Sequence, residues 1–308
     1  MPPQYSVQPN PRVSFEVTYE DEHLIILNKP SSVVTQPGEK HQHDALLNGA
    51  FDRWGKQLQN LGKKRDFGLL HRLDRGTSGL VIIAHNRLCY DQIRAQFEQR
   101  LIKKTYWTMA SGQPKQRRGQ CSTPIAEVRS RGKKRAITVP SPSSSYGQSA
   151  FSSSAPHAKV NSKMKLSSQH RRREGHNRGP SRVNYQANSH RIPVPQEAVT
   201  RYRVLESHQS SLGPVAFLEC QPQTGRLHQI RVHLRTLNMT VIGDFDYGGS
   251  SDLNRAMRSL GRDRLMLHAG RLEFVHPVSQ EALSVQVPIP SWWSDVTQKI
   301  QVPPCRST

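Results

Sequence analysis

The stretch HRLDRGTSGL, His71 to Leu80, together with the apolar run Val81-Ile82-Ile83-Ala84 that continues it, decides how the rest of the chain is read. Asp74 stands between Arg72 and Arg75 and is followed at once by Gly-Thr-Ser-Gly. That composition is a tight loop feeding a buried strand, and it leaves a lone carboxylate at the strand's mouth. A carboxylate so placed is a candidate nucleophile. On the ten residues alone the plainer reading is the better one: an aspartate that caps a turn or pairs with an arginine.

Outward from this loop the pattern is strand-rich. Tyr19-Glu20-Asp21-Glu22 is a turn before Leu24-Ile25-Ile26-Leu27, a short apolar strand that ends at Lys29-Pro30. After the loop and its strand, Leu88, Ile93, Phe97 and Leu101 approximate one face of a helix, and Thr105 to Met109 resumes as a strand. Ala198 to Leu205 and Val215 to Cys220 read as strands joined by a Gly-Pro turn. Leu227 to Leu237 reads as a helix opened by Thr224-Gly225-Arg226, and Leu265 to Val275 and Leu283 to Val287 as two more strands. With few helices and no regular βαβ alternation, the expected class is α+β, a large and mainly antiparallel mixed sheet flanked by helices and loops.

The 308 residues carry 44 Lys and Arg against 23 Asp and Glu, a net charge of +21. Such an excess calls for a polyanionic partner, most simply nucleic acid, with an anionic membrane surface as the other possibility. No stretch approaches the roughly 18–20 apolar residues of a spanning helix, and the N-terminus MPPQYSVQPNPR has no apolar signal core, so no membrane is expected. Cys89, Cys121, Cys220 and Cys305 are scattered without a CxxC pair, which suits a reduced cytoplasmic protein with no disulfide framework. The 14 histidines show no metal-ligand spacing, so no metal is expected.

The charge is uneven. Ser111 to Pro195 holds 17 Lys and Arg against two acids, Glu127 and Glu174, and so carries a net +15. Within it, 140–195 contains SPSSSYGQSAFSSSAPH and the run Arg171-Arg172-Arg173 with few large apolar residues. It cannot bury enough apolar surface to offset its ordering entropy and is read as a disordered basic insertion, either an RNA-grasping arm or a solvated linker. The remaining divisions are a flexible tail at 1–15, a first catalytic part at 16–139, a second at 196–290, and a C-terminal tail at 291–308.

Two further clusters carry chemistry. In TGRLHQIRVH, residues 224–233, helical spacing places Leu227, Ile230 and Leu234 on one face with Arg231 at its edge. A guanidinium held partly in the core needs an anionic partner, and Asp74 is the natural candidate, although a structural salt bridge would explain the pattern equally. In Lys104-Thr105-Tyr106-Trp107, the Tyr106 ring offers a face on which an unstacked base can lie; a core residue with a polar tip is the plainer account.

Taken in order, these pieces resemble the RluA family of RNA pseudouridine synthases. The residues that carry the likeness are YEDEHLIILNKP at 19–30, HRLDRGTSGL at 71–80, KKTYWTMASG at 103–112, TGRLHQIRVHL at 224–234, VIGDFDYGG at 241–249 and RLMLHAGRLEFVHP at 264–277. The resemblance implies a cofactor-free isomerase that detaches uracil from C1′ of a uridine, rotates it and rejoins it through C5. It implies Asp74 as the catalytic carboxylate, Tyr106 as the residue packed on the target base, and Arg231 as the partner of the aspartate. It also implies that Arg72 helps hold the RNA open, and that Leu267 lines the uracil pocket. Arg75, Arg226 and His228 are expected at the RNA, which is a structured ribosomal or transfer RNA. A monomer is the default. The residues before Val17 are too few for the S4 module that many members carry, and the basic insertion is foreign to the family core. A non-catalytic RNA-binding or ribosome-assembly factor on the same fold is the competing reading.

Overall fold

In β2 (Leu24–Lys29) and β3 (Ser78–Ala84) the apolar runs are buried on both faces, which fixes the layering of the molecule. Side chains alternate across a strand, so Leu24, Ile26, Leu80 and Ile82 face one way and Ile25, Leu27, Val81 and Ile83 the other. The first set packs on α2 (Arg87–Glu98), through Cys89, Tyr90 and Ile93. The second packs on α1 (Leu46–Leu61), through Leu47, Phe51 and Leu58. The structure is a computed structural model that describes residues 5–130, 132–139, 194–248, 251–261 and 264–304.

In chain order the remaining elements are β1 (Glu16–Glu20), β4 (Lys103–Ser111), β5 (Arg118–Cys121), β6 (Ile125–Ser130), β7 (Lys133–Thr138), β8 (Thr200–Ser210), β9 (Gly213–Pro222), α3 (Gln229–Thr236), β10 (Thr240–Val241), α4 (Asp252–Ser259), β11 (Leu267–Val275), β12 (Ala282–Gln286) and α5 (Trp293–Lys299). Ten strands form one sheet in the order β1-β2-β3-β11-β4-β9-β8-β5, with β10 on β4 and β12 on β11; β6 and β7 form a separate hairpin. Every pairing is antiparallel except that of β11 with β3. The α+β class with a large, mainly antiparallel mixed sheet is therefore the observed one. The two parts of the chain on either side of the insertion share this sheet, because β4 lies between β11 and β9.

That parallel junction matters for function. Gly79 lies so close to β11 that a Cβ there would sit 2.2 Å from the Ala269 carbonyl oxygen, and its φ is +116°. Only glycine fits such an approach. Ser78 adds a hydrogen bond to His268 Nδ1 at 2.9 Å, so the end of β3 that carries the Asp74 loop is tied to the start of β11. On the second half of the sheet, α4 and α5 cover one face through Met257, Trp293 and Val296, and α3 covers the other through Ile230 and Leu234. Tyr106 packs against both the α1-side and the α3-side clusters, so it stands at their seam.

Several expectations are corrected. The segment 1–15 is not a flexible tail over its described residues: Val7 is buried, and the Tyr5 ring lies against Gly55 of α1, where a Cβ would meet it at 2.8 Å. The C-terminal stretch is not a tail either, since Trp293, Val296, Ile300 and Val302 belong to the core. In α2 the buried face is Cys89, Tyr90 and Ile93, while Leu88 and Leu101 are exposed, because the helix ends at Glu98 before Leu101 can share its phase. The helix expected from Leu227 begins at Gln229, because His228 takes a left-handed conformation. The expected insertion, apart from Val194 and Pro195, lies outside the described residues.

Candidate active site

The loop around Asp74 fixes its backbone, and Arg231 aims its carboxylate. Leu73 N–H donates to Thr35 Oγ1 at 3.0 Å and the Thr35 hydroxyl donates back to the Leu73 carbonyl at 2.8 Å. Thr77 N–H closes the turn onto the Asp74 carbonyl at 3.1 Å. On the other side Ser32 N–H donates to the Arg75 carbonyl at 2.8 Å, and Arg75 Nε returns a bond to the Ser32 carbonyl at 3.1 Å. Beneath this zipper Lys29, fully buried, donates from Nζ to the carbonyls of Val33 at 2.7 Å, Pro30 at 2.9 Å and Arg75 at 3.5 Å. Burial pulls the Lys29 pKa down to about 7, with the charge of Asp74 holding it up against that.

Arg231 reaches Asp74 from α3, with Nη1 at 3.2 Å from Asp74 Oδ2. Its main anchor is different. Asp244, buried completely, takes a bidentate pair from Arg231 Nε and Nη2 at 2.8 and 2.9 Å, and Asp246 adds a contact at 3.2 Å. A planar guanidinium is suited to such a fork, and it leaves Nη1 pointing at Asp74. Burial works to lower the Arg231 pKa, but the hydrogen bonds and charge of Asp244, then the charge of Asp74, carry it above the usual arginine value. Asp244 is fixed in turn by the backbone N–H groups of Asp246 and Tyr247 at 3.1 and 3.0 Å. The expected pairing of Arg231 with Asp74 is present, but as one arm of a larger network.

A cleft of about 910 Å³ opens over this network. All eight residues singled out from the sequence line it: Asp74, Tyr106, Arg231, Arg72, Arg75, Arg226, His228 and Leu267. Tyr106 projects from β4 opposite Ala269 and Cys220; burial, then the charge of Asp74, pushes its phenol well above the usual range, so the hydroxyl keeps its proton at neutral pH. Leu267 is buried on β11 opposite Thr108. Arg72 is exposed and, among the described residues, makes a long contact to Gln36 Oε1 at 3.4 Å. Arg226 donates to the Glu197 carbonyl at 3.0 Å and, like Arg75, is steadied by a neutral backbone oxygen. Lys104 and Lys134 add to the basic lining.

Lys29, Asp244, Asp246 and Tyr247 were not singled out from the sequence. The available signal was a charge set at the end of an apolar run, Lys29 after Leu-Ile-Ile-Leu-Asn and Asp244 after Val-Ile-Gly. Such a residue is buried only if it is partnered.

An arginine-clamped carboxylate in a wide basic cleft, with an aromatic ring and an aliphatic wall beside it, defines an enzyme built to handle a nucleotide within a polyanion. A family model described as RNA pseudouridylate synthase matches residues 23–236. The chain belongs to this RNA pseudouridylate synthase family, as its likeness to the RluA group implied. It is 27% identical over 276 residues to the uncharacterized RNA pseudouridine synthase YhcT of Bacillus subtilis, covering 90% of this chain and 69% of that protein. It is 26% identical over 279 residues to the ribosomal large subunit pseudouridine synthase D of Zymomonas mobilis, covering 90% and 70%. Among solved structures, human RNA pseudouridylate synthase domain containing 4 superposes with a TM-score of 0.58 at 22% identity, covering 92% of each chain, which speaks to the fold. The protein is an RNA pseudouridine synthase, an isomerase.

Proposed function

We propose that Asp74 is the catalytic carboxylate of this synthase and that its substrate is a uridine in structured ribosomal RNA of the large subunit. The observation that carries the assignment is the chain of contacts from Asp74 through Arg231 to the fully buried Asp244. Burying a charged pair is costly, and the fork spends that cost on holding one guanidinium nitrogen against one partly exposed carboxylate. A residue that merely capped a turn would need no such support.

The other roles follow from placement. A uridine inside a helix is out of reach, so it has to be extruded, at a cost of a few kcal/mol. Stacking on Tyr106 returns about 1–3 kcal/mol of this. Leu267 packs against the uracil edge, and Arg72, Arg75 and Arg226 hold the phosphates on either side. Arg72, exposed and weakly tied, is the one free to follow the RNA as the base leaves the stack. Ribosomal RNA is favoured over transfer RNA because relatives such as the Zymomonas mobilis protein bear the ribosomal large subunit name. The same reading puts the protein in the cytoplasm, where the ribosomes of its bacterial relatives assemble. Mapping pseudouridine in large-subunit and transfer RNA with and without the gene tests the target: one site lost from large-subunit RNA is expected, and loss confined to transfer RNA contradicts it.

A further inference from the structure

One more polar group is aimed at the reaction centre, and its neighbours determine its hydrogen-bonding state. His228 caps α3 in the left-handed region, at φ +51°, a conformation that residues with a Cβ seldom adopt. The strained backbone turns the imidazole into the cleft. Nδ1 lies 2.7 Å from the Tyr247 phenol oxygen, and Nε2 lies 3.8 Å from Asp74 Oδ2.

Tyr247 is buried, and its oxygen already accepts the Ala136 N–H at 2.8 Å. The phenol proton therefore needs an acceptor, and among the described residues His228 Nδ1 is the one it meets. Burial raises the Tyr247 pKa and lowers that of His228, the latter against the pull of Asp74. The phenol keeps its proton and the imidazole stays neutral. A neutral imidazole that accepts at Nδ1 carries its own proton on Nε2. Among the described residues, the charged groups acting on the ring are Asp74, Asp244 and Asp246, which favour its protonation, and Arg231, which opposes it; burial outweighs the carboxylates.

We propose that His228 is a catalytic residue of the uridine isomerisation, a neutral imidazole whose Nε2–H donates a hydrogen bond to a uracil carbonyl oxygen as the base leaves the sugar. This rests on Asp74 being the reaction centre. When the C1′–N1 bond breaks, its electron pair stays with uracil and spreads onto the carbonyl oxygens. On rejoining, a C1′–C5 bond forms, C5 loses its proton and N1 takes one up, with nothing oxidised or reduced. A donor fixed in advance at the developing negative charge stabilises the first step without reorganisation. The 3.8 Å gap to Asp74 is too long for a hydrogen bond, so the Nε2–H remains available to a substrate oxygen. Tyr247 is the positioning residue, acting by setting the tautomer.

Nitrogen-15 NMR of the histidine-labelled resting protein reads the tautomer without turnover. The Nε2–H form is expected in the parent and a tautomer mixture in Tyr247→Phe. Single-turnover assays on target RNA then compare His228→Leu and His228→Gln, with melting and RNA-binding measurements on each. The leucine variant should react about 100-fold more slowly with unchanged RNA affinity, the loss typical of one such donor. The glutamine variant, whose amide N–H takes the place of ring Nε2–H, should recover to within about tenfold of the parent. A protonated ring at neutral pH, an Nδ1–H tautomer, equal losses in both variants, or weakened binding with an intact rate would each overturn the proposal. An Asp74→Asn variant that stayed active would instead overturn the assignment of Asp74, and is run beside them.

Discussion

Replacing Asp244 by Asn isolates the buried ion pair from the rest of the cleft. Asparagine has the same shape and keeps an oxygen for the Asp246 and Tyr247 N–H groups, but it removes one charge at a fully buried position. Arg231, itself only 5% exposed, then keeps Nη2 on the remaining oxygen but faces an amide NH2 instead of an acceptor at Nε, with single contacts to Asp74 and Asp246, each at 3.2 Å. Removing one partner of a buried pair costs about 3–5 kcal/mol; with two carboxylates remaining, about 2–3 kcal/mol is the expected net loss. For a chain of this ordered size that lowers Tm by about 4–12 °C. The guanidinium would also recentre between its remaining partners and drag Asp74 from its place, and a shift of about 1 Å costs about 100-fold in rate. Thermal melts and single-turnover isomerisation measure both effects. The double variant Asp244→Leu with Arg231→Met should recover much of the Tm, because an apolar pair can replace a buried ionic one, yet stay inactive. A single variant with Tm within about 1 °C and a rate within about twofold of the parent would refute the reasoning.

The other expectations concern Tyr106, Lys29 and the basic insertion. Tyr106→Ala should lower kcat/KM by about 10–100-fold through lost stacking, and Tyr106→Phe should keep most of that part; equal losses in single-turnover assays would place the role in the hydroxyl instead. Lys29 has a folded pKa near 7 against an ordinary 10.5, so below pH 7 both the folded and unfolded chains carry the proton and the burial penalty is felt in full. Between those values the unfolded chain binds more protons, so the parent should gain stability over Lys29→Met as pH rises from about 6.5 to about 9.5 in urea titrations. A flat difference contradicts a buried, partly neutralised lysine. Removal of 140–193 should weaken RNA binding and flatten its dependence on salt, while the modified uridine stays the same; an unchanged slope in filter-binding assays would show that the insertion releases no counterions.

The parts of the molecule that were legible in advance are those whose pattern is local. Strands β2 and β3 announce themselves as apolar runs, and because both faces are covered the runs are continuous rather than alternating. Asp74, Tyr106 and Arg231 are legible as a set only because the motifs occur in order; singly, each has a plainer explanation. What stayed hidden depends on contacts distant in sequence. Helix α1 contains Asn48, Gly49 and Gly55, poor helix formers whose presence makes sense once the N-terminal segment is seen crossing the helix at Gly55. For the same reason that segment looked like a tail. Asp244 has no role legible in its own motif, since its partner lies thirteen residues earlier and reaches it only when α3 folds back over β10. The left-handed turn at His228 has no glycine or asparagine to signal it, so the sequence pattern starts the helix two residues early.

The carboxylate of Asp74 is the group on which the isomerisation depends. The direct measurement is tritium release from RNA labelled at C5 of uridine, since joining C1′ to C5 expels that hydrogen. Purified parent protein should release label in step with pseudouridine formation, and Asp74→Asn should release none while binding the RNA with the parent's affinity. Release by Asp74→Asn at the parent's rate would overturn the catalytic role of Asp74, and with it the purpose assigned to the Arg231–Asp244 fork.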